Sequence, residues 1–190
     1  MTRVTLHTDD TAPSESRPLL DRLAETSPGI GRTINLWAAM AGDPMTLATY
    51  VGIREAIAAH PTLDPKTRAA VALAAAAATD GPYSQRVNVR LAERVGWTSD
   101  EVWSIRSGDP IEPRLDALLA LTREAAANDG AVRAATWEQA TVSWSERELI
   151  GFLTFVILTS FVDRFVRLVD LEIDIPPVPD VAREALAARS

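Results

Sequence analysis

Two polar side chains, Ser84 and Asn88, lie four residues apart in a segment whose apolar spacing predicts a helix starting at Tyr83. The spacing puts both of them on one helix face together with Leu91. Gly81 precedes the helix, where unpaired main-chain amides favour an anion or a polarised carbonyl group. Hydroxyl and amide groups form hydrogen bonds, but an amide does not carry protons at neutral pH. The pattern therefore predicts polar recognition with electrostatic stabilisation rather than acid–base chemistry by these residues.

Further candidates flank this face. The Tyr83 phenol can donate a hydrogen bond near the helix start, and Arg86 together with Arg90 can bind a carboxylate-bearing ligand. Each also has a structural interpretation, which is packing for the tyrosine and pairing with acids such as Glu93 for the arginines. The serine and the asparagine have one as well, in which they hydrogen-bond each other or a neighbouring main chain.

Large apolar residues precede this segment in the chain. Trp37, Met40 and Tyr50 lie on two predicted helices and suit either the wall of a hydrophobic ligand cavity or a core. Farther along, the Asp163-Arg164 pair follows a long apolar run. We interpret this pair as a buried structural ion pair, with a role in the site as the less favoured alternative.

The composition excludes several classes of function. The chain has 190 residues and a net charge of −7, which argues against nucleic acid as a partner. It has no cysteine, so disulfides, thiol redox chemistry, iron–sulfur clusters and cysteine-ligated zinc are excluded. The two histidines, His7 and His60, are too few for a multi-histidine metal site. We expect neither a metal nor a cofactor.

The elements that must position these residues are all helical. Apolar residues recur at helical spacing and no stretch alternates with period two, so the sequence predicts an all-α fold. Asp43-Pro44 and Asp64-Pro65 are typical helix starts, with an N-cap followed by proline. Thr98-x-x-Glu101 and Ser145-x-x-Glu148 are capping boxes.

Three segments are expected along the chain. Residues 1–14 are a flexible N-terminal arm, 15–178 a single all-helical domain, and 179–190 a C-terminal helical arm. The N-terminus lacks the apolar region of a signal peptide, and the longest apolar run, 149–162, is shorter than a membrane span. We therefore expect a cytoplasmic protein without a membrane partner.

Several short motifs occur in a fixed order in the centre of the chain: Leu63-Asp64-Pro65, the Asp80-Gly81 turn, Leu91-Ala92, Val95-Gly96 and Thr98-Ser99-Asp100-Glu101. In this order they resemble the central helical pair of the alkylhydroperoxidase D / carboxymuconolactone decarboxylase superfamily, and the resemblance extends over residues 15–175. It implies the helical bundle of that type, a small-molecule ligand, and assembly into a homodimer or a higher homo-oligomer.

The resemblance also identifies what is missing. Redox members of the superfamily carry a glutamate, a Cys-x-x-Cys pair and a histidine. The corresponding positions here are Ala69, Gly81, Ser84 and Asn88, so all four residues are replaced. A serine forms no disulfide, and its hydroxyl needs a base to become a nucleophile. Relatives of the decarboxylase type often keep the histidine, and this chain differs from them too.

Whether the chain is an enzyme is left open by the sequence. The first hypothesis is a cofactor-free decarboxylase, isomerase or lyase that acts on an apolar or carboxylated metabolite. Its catalytic candidates are Ser84, Asn88 and Tyr83, and its ligand-binding candidates are Gly81, Trp37, Met40, Tyr50 and Arg86. The alternative is a non-catalytic ligand-binding or scaffolding oligomer. A peroxidase-type antioxidant activity is a less favoured alternative, because the thiol couple is absent.

Overall fold

A computed structural model of the chain describes residues 2–26 and 34–177. The predicted C-terminal arm, 179–190, lies outside these described residues. Within them, the chain forms helices and no strand, which confirms the predicted all-α fold. The helices are α1 (Arg17–Thr26), α2 (Asn35–Met40), α3 (Pro44–Ala59), α4 (Pro65–Ala78), α5 (Pro82–Arg94), α6 (Ser99–Ser107), α7 (Pro113–Ala127), α8 (Ala134–Thr141) and α9 (Glu146–Leu168).

The helix starts follow the predicted capping chemistry. Asp43 caps α3 by accepting a hydrogen bond from the main-chain amide of Thr46 at 2.9 Å. Asp64 caps α4 in the same way, with the amide of Lys66 at 2.9 Å. The capping box at Thr98 forms in full, and so does the one at Ser145. Local sequence therefore fixes where these four helices begin.

The described residues form two compact units. The first contains the described residues up to His60 and Arg164–Asp174. In it, α1 and α2 pack against α3. Its N-terminal residues, expected as an arm, form long-range main-chain hydrogen bonds, from the amide of Arg3 to the Val169 oxygen at 2.7 Å and from His7 to Ala38 at 2.9 Å.

The second unit contains Pro61–Asp163 and the described residues 175–177. Its central helix is α4, which packs against α5, α6 and α7. The middle of α4, from Leu73 to Ala76, is completely buried. Small side chains on this helix allow the neighbouring helices to approach its main chain closely, which matters for the site described below.

In the second unit, two pairs of helices are joined in the same way, each through a tryptophan side chain. Trp97, just before α6, donates from Nε1 to the main-chain oxygen of Lys66 in α4 at 2.9 Å, and the Lys66 ammonium lies 4.0 Å from the centre of the indole ring. Trp144, just before α9, donates to the oxygen of Arg114 in α7 at 2.8 Å, and the Arg114 guanidinium lies 3.8 Å from its ring. Each tryptophan thus ties the start of one helix to the start of a later one.

Helix α9 is the longest helix in the described part of the chain. With 23 residues and a mean hydropathy of 1.9 over its most apolar window, it is long and apolar enough to cross a membrane. The predicted apolar run of 149–162 is thus only part of a longer helix. The core helix of a soluble protein also meets these criteria, so this feature alone assigns no membrane.

Candidate functional site

The site is built on the turn between α4 and α5. α4 ends at Ala78, and Asp80 adopts a left-handed conformation with φ 49° that reverses the chain. Gly81 is the N-cap of α5 and contributes no side-chain cap, and Pro82 opens the helix. Proline at this first position removes an amide that would have no helical partner, so the sequence favours a helix starting here.

The carboxyl group of Asp163 lies against Gly81. A Cβ atom at position 81 would overlap the carboxyl carbon and both carboxyl oxygens of Asp163. The Thr79 hydroxyl donates to Asp163 Oδ2 at 2.9 Å, and the aspartate side chain is 3% exposed. A buried carboxylate therefore fills the space that a side chain at position 81 would take, at the positive end of the α5 dipole.

The sequence did not predict that the Asp163 side chain lies against Gly81. We interpreted Asp163 and Arg164 together as a buried pair. The structure buries the aspartate but leaves Arg164 exposed. The signal that could have found this position is a single acidic residue at the end of an apolar run, in a helix that the resemblance includes.

Ser84, Asn88 and Tyr83 all lie on the buried side of α5, each less than a tenth exposed. The Asn88 amide donates from Nδ2 to the main-chain oxygen of Ala72 in α4 at 3.3 Å. This contact requires α5 to approach the α4 main chain, and the small alanine side chains permit it. Asn88 thus has one of the two partners that the structural interpretation allowed, a neighbouring main chain.

The predicted orientation of α5 is wrong by part of a turn. The sequence analysis placed Leu91 on the same inward face as Ser84 and Asn88, but Leu91 is 41% exposed. The buried stripe runs through Val89 and Ala92 instead. The small Ala92 side chain faces the core, where closely packed helices leave little room, and the larger leucine is on the outside.

Three further ligand-binding candidates lie in helices of the first unit. Trp37 and Met40 are buried in α2, and Tyr50 is buried in α3. The Tyr50 hydroxyl accepts a hydrogen bond from Arg54 at 3.4 Å, and that guanidinium lies 5.6 Å from the tyrosine ring centre. Burial is consistent with both interpretations of these residues, core and cavity wall.

Arg86 lies on α5, partly buried, and its guanidinium donates from Nη1 to the main-chain oxygen of Ile175 at 2.8 Å. Among the residues that the structure describes, no group of three or more His, Asp or Glu side chains is arranged to hold a metal ion. What the α4–α5 turn offers chemically is one buried carboxylate, one hydroxyl donor on it, and the polar side chains of α5.

Known proteins share this arrangement of helices. The debrominase Bmp8, solved as a cysteine-to-alanine variant in complex with 2,3,4-tribromopyrrole, superimposes with a TM-score of 0.77 at 15% identity, covering 100% of this chain and 98% of that one. A peroxidase-related protein from Silicibacter sp. TM1040 gives 0.74 at 12% identity, over 90% of this chain and 91% of that one. An alkylhydroperoxidase AhpD core protein from Ralstonia eutropha JMP134 gives 0.75 at 14%, over 94% and 93%.

These likenesses establish the fold. In sequence, residues 44–124 match the model of the carboxymuconolactone decarboxylase family, a range that contains the α4–α5 turn and every candidate on α5. No curated protein sequence matches the chain. The family match over these residues and the shared helical fold confirm the resemblance of this cysteine-free chain to the carboxymuconolactone decarboxylase / alkylhydroperoxidase D-like superfamily.

Proposed function

We propose that the chain is a cofactor-free enzyme that moves a proton on a small carbonyl compound, as a decarboxylase, isomerase or lyase does. The observation that supports this is the Asp163 carboxyl group in the place of a side chain at position 81, where thiol-containing relatives carry their first cysteine. The sequence alone offered no base in this region. A buried carboxylate is a group that can take and return protons.

The proposed step uses Asp163 as the acid–base residue. Its carboxylate removes a proton from the carbon next to a carbonyl group. The electron pair of the broken C–H bond forms a carbon–carbon double bond, and the π pair of the carbonyl group moves onto its oxygen. The candidate donors that stabilise this oxygen are Tyr83 and Ser84, in the first turn of α5, and Asn88, one turn farther along the helix. Return of the proton to another carbon gives an isomer. For a β-keto acid, Asp163 takes the proton of the carboxyl group, the carbon–carbon bond breaks as carbon dioxide leaves, and the electron pair of that bond forms the enolate. Protonated Asp163 then returns the proton to carbon.

A second candidate function is a non-catalytic ligand-binding or scaffolding protein. The observation that favours it is the burial of Ala69, Ser84 and Asn88, each less than a tenth exposed. A ligand reaches this region only when neighbouring side chains move. Burial of this extent is typical of polar groups that satisfy each other in a helix interface.

Deuterium exchange distinguishes the two candidates without knowledge of the substrate. A mixture of keto acids, lactones and enolisable ketones is incubated with the protein in D2O, and NMR reports deuterium at carbon and released carbon dioxide. We expect exchange or decarboxylation of at least one compound, and its loss in Asp163→Asn, which keeps the shape of the side chain. Asp100→Asn, an exposed aspartate in α6, is the matched control. Unchanged turnover in Asp163→Asn would exclude the proposed base, and no turnover at all would favour the second candidate.

The compound 2,3,4-tribromopyrrole is a further probe of the class of ligand that this chain binds. Bmp8 shares the fold and was solved with tribromopyrrole, which supports testing small apolar rings as ligands. Calorimetry with that compound tests whether this chain binds one. Peroxidase-type activity remains the less favoured alternative, and a peroxide-consumption assay with a dithiol donor is its test. Peroxide consumption above that of a protein-free blank would contradict our expectation that a chain without cysteine lacks peroxidase activity.

We also propose that the chain self-associates. On α9, Ile150, Leu153 and Ile157 follow one another at helical spacing and are 62%, 40% and 52% exposed. A second copy is the occupant that fits this apolar stripe, since a net charge of −7 opposes binding to an anionic lipid surface. The cytoplasmic location and the absence of nucleic-acid and membrane partners stay predictions of the sequence.

A further inference from the structure

Helix α5 carries two arginines one turn apart whose partners are unusual. Arg86 donates from Nη1 to the main-chain oxygen of Ile175 at 2.8 Å, and Arg90 donates from Nη2 to that of Pro176, also at 2.8 Å. Arg90 Nη1 additionally donates to the Arg86 main-chain oxygen at 3.0 Å. Within the described part of the chain, both guanidinium groups are therefore satisfied by neutral carbonyl oxygens rather than by acids.

This pairing is not what the charges of the chain favour. Like charges four residues apart on a helix repel each other, and both side chains are partly buried. The chain has 26 acidic residues and 19 basic ones, so carboxylates are plentiful. Arginine forms stronger, charge-assisted hydrogen bonds with carboxylates than with carbonyl groups. Two adjacent cations that contact no acid among residues 2–26 and 34–177 are thus well suited to an anion from outside the chain.

The segment that covers the arginines has the hydrogen-bonding character of such an anion. Pro176 and Pro177 have no amide hydrogen, so around Ile175 the main chain presents mainly acceptors. A carboxylate likewise presents acceptors only. We propose that Arg86 and Arg90 form a binding site for a carboxylate-bearing small molecule, and that the Ile175–Pro176 segment occupies this site when no ligand is bound. This proposal does not depend on the proposed chemistry at Asp163.

Binding of succinate to the full chain tests the site directly. Calorimetry at constant ionic strength compares succinate with dimethyl succinate, which has the same skeleton without charge. We expect succinate alone to bind, and the double variant Arg86→Gln/Arg90→Gln to bind it at least about 10-fold more weakly. Arg94→Gln, an exposed arginine on the same helix, is the control and should bind as the parent does. Equal succinate affinity in the parent and the double variant would overturn the site, as would equal binding of the ester.

A second experiment measures whether succinate displaces the Ile175–Pro176 segment. Hydrogen exchange of the amides of residues 173–175 should become faster when succinate is bound, because the carbonyl partners of the arginines are released. Pro176→Gly makes the segment more flexible and its docking less favourable, so it should tighten succinate binding several-fold. Succinate binding with unchanged exchange, or weaker binding by Pro176→Gly, would show that the segment does not compete. Because neither measurement requires turnover, the result is independent of the proposed enzyme activity.

Discussion

The carboxyl group of Asp163 occupies the volume in which a Cβ atom of residue 81 would lie. The two residues are 82 positions apart in the chain, and each constrains the other. Gly81 has an ordinary φ of −84°, so its main chain would accept alanine, and the three nearest atoms that a Cβ would meet there all belong to the aspartate. In this chain, a side chain at position 81 and an inward-pointing Asp163 exclude each other.

The first prediction concerns this pair. Gly81→Ala should destabilise the fold by about 1–3 kcal/mol, because the new methyl group forces the buried carboxylate to move. In the Asp163→Ala background the same substitution should cost less than about 0.5 kcal/mol, since the obstructing atoms are gone. A double-mutant cycle by urea unfolding measures the coupling, expected at about 1–3 kcal/mol. Additive effects of the two substitutions would contradict the close contact.

Two glycines within helices should respond to alanine with opposite sign. Gly151 in α9 lies against Thr62, and a Cβ there would overlap the threonine side chain, so Gly151→Ala should destabilise by about 1–3 kcal/mol. Gly52 in α3 has no atom within 4 Å of such a Cβ. Because alanine favours helix, Gly52→Ala should stabilise by up to about 1 kcal/mol. Thermal unfolding of both variants checks the contrast, and equal shifts would contradict it.

The hydrogen bonds of Trp97 and Trp144 should stabilise the fold to a similar extent. Trp97→Phe and Trp144→Phe each remove one indole N–H and leave the main-chain oxygen of Lys66 or Arg114 without that donor. We expect each to destabilise by about 1–3 kcal/mol in denaturant unfolding. Trp137→Phe is the control, since that tryptophan is 38% exposed and should change stability by less than about 0.5 kcal/mol. A control effect as large as the other two would mean that the hydrogen bonds are not the cause.

The link between α7 and α8 should be sensitive to acid. Glu124 accepts hydrogen bonds from the Arg133 side chain, from the Thr136 hydroxyl at 2.6 Å and from the Arg133 amide at 2.6 Å, and these lower the pKa of Glu124 from 4.5 to about 2. A lowered pKa means that the folded state binds fewer protons than the unfolded one. The stabilisation from Glu124 is therefore complete above about pH 4.5 and is lost as the pH falls towards 2.

Unfolding of Glu124→Gln as a function of pH measures this effect. The difference in stability from the parent chain should be largest near neutral pH and should shrink between pH 4.5 and 2. Glu93→Gln, an exposed carboxylate in α5, serves as the control and should differ little from the parent. A constant difference over the whole range would show that the charge of Glu124 is not what stabilises the link.

The apolar stripe on α9 gives a prediction about assembly. Ile157 is about half exposed in a single chain, so Ile157→Lys should leave folding intact and weaken self-association by placing a charge in the interface. Light scattering coupled to size exclusion, with circular dichroism as a check on folding, measures both. Met45→Lys, a 74% exposed residue in α3, is the control. A parent chain that is monomeric at all concentrations would refute self-association.

The amino-acid sequence by itself determined the helices, the side-chain caps of four of them and the absence of thiol chemistry. These depend on local rules: the N-cap of α3 joins Asp43 to an amide three residues away, and a missing cysteine needs no structure to interpret. Those local rules did not predict which face of α5 is buried. Ala92, and not Leu91, faces the closely packed α4, and that depends on the neighbouring helix.

Only the tertiary structure decided what surrounds the candidate residues. The hydrogen bond from Thr79 to Asp163 joins residues 84 positions apart, and that from Arg86 to Ile175 joins residues 89 apart. Helical periodicity shows which residues face inward, but it carries no information about which distant side chain will meet them. That choice depends on how side chains of different volume fill the space between packed helices, and here the lack of a side chain at Gly81 makes room for a carboxylate.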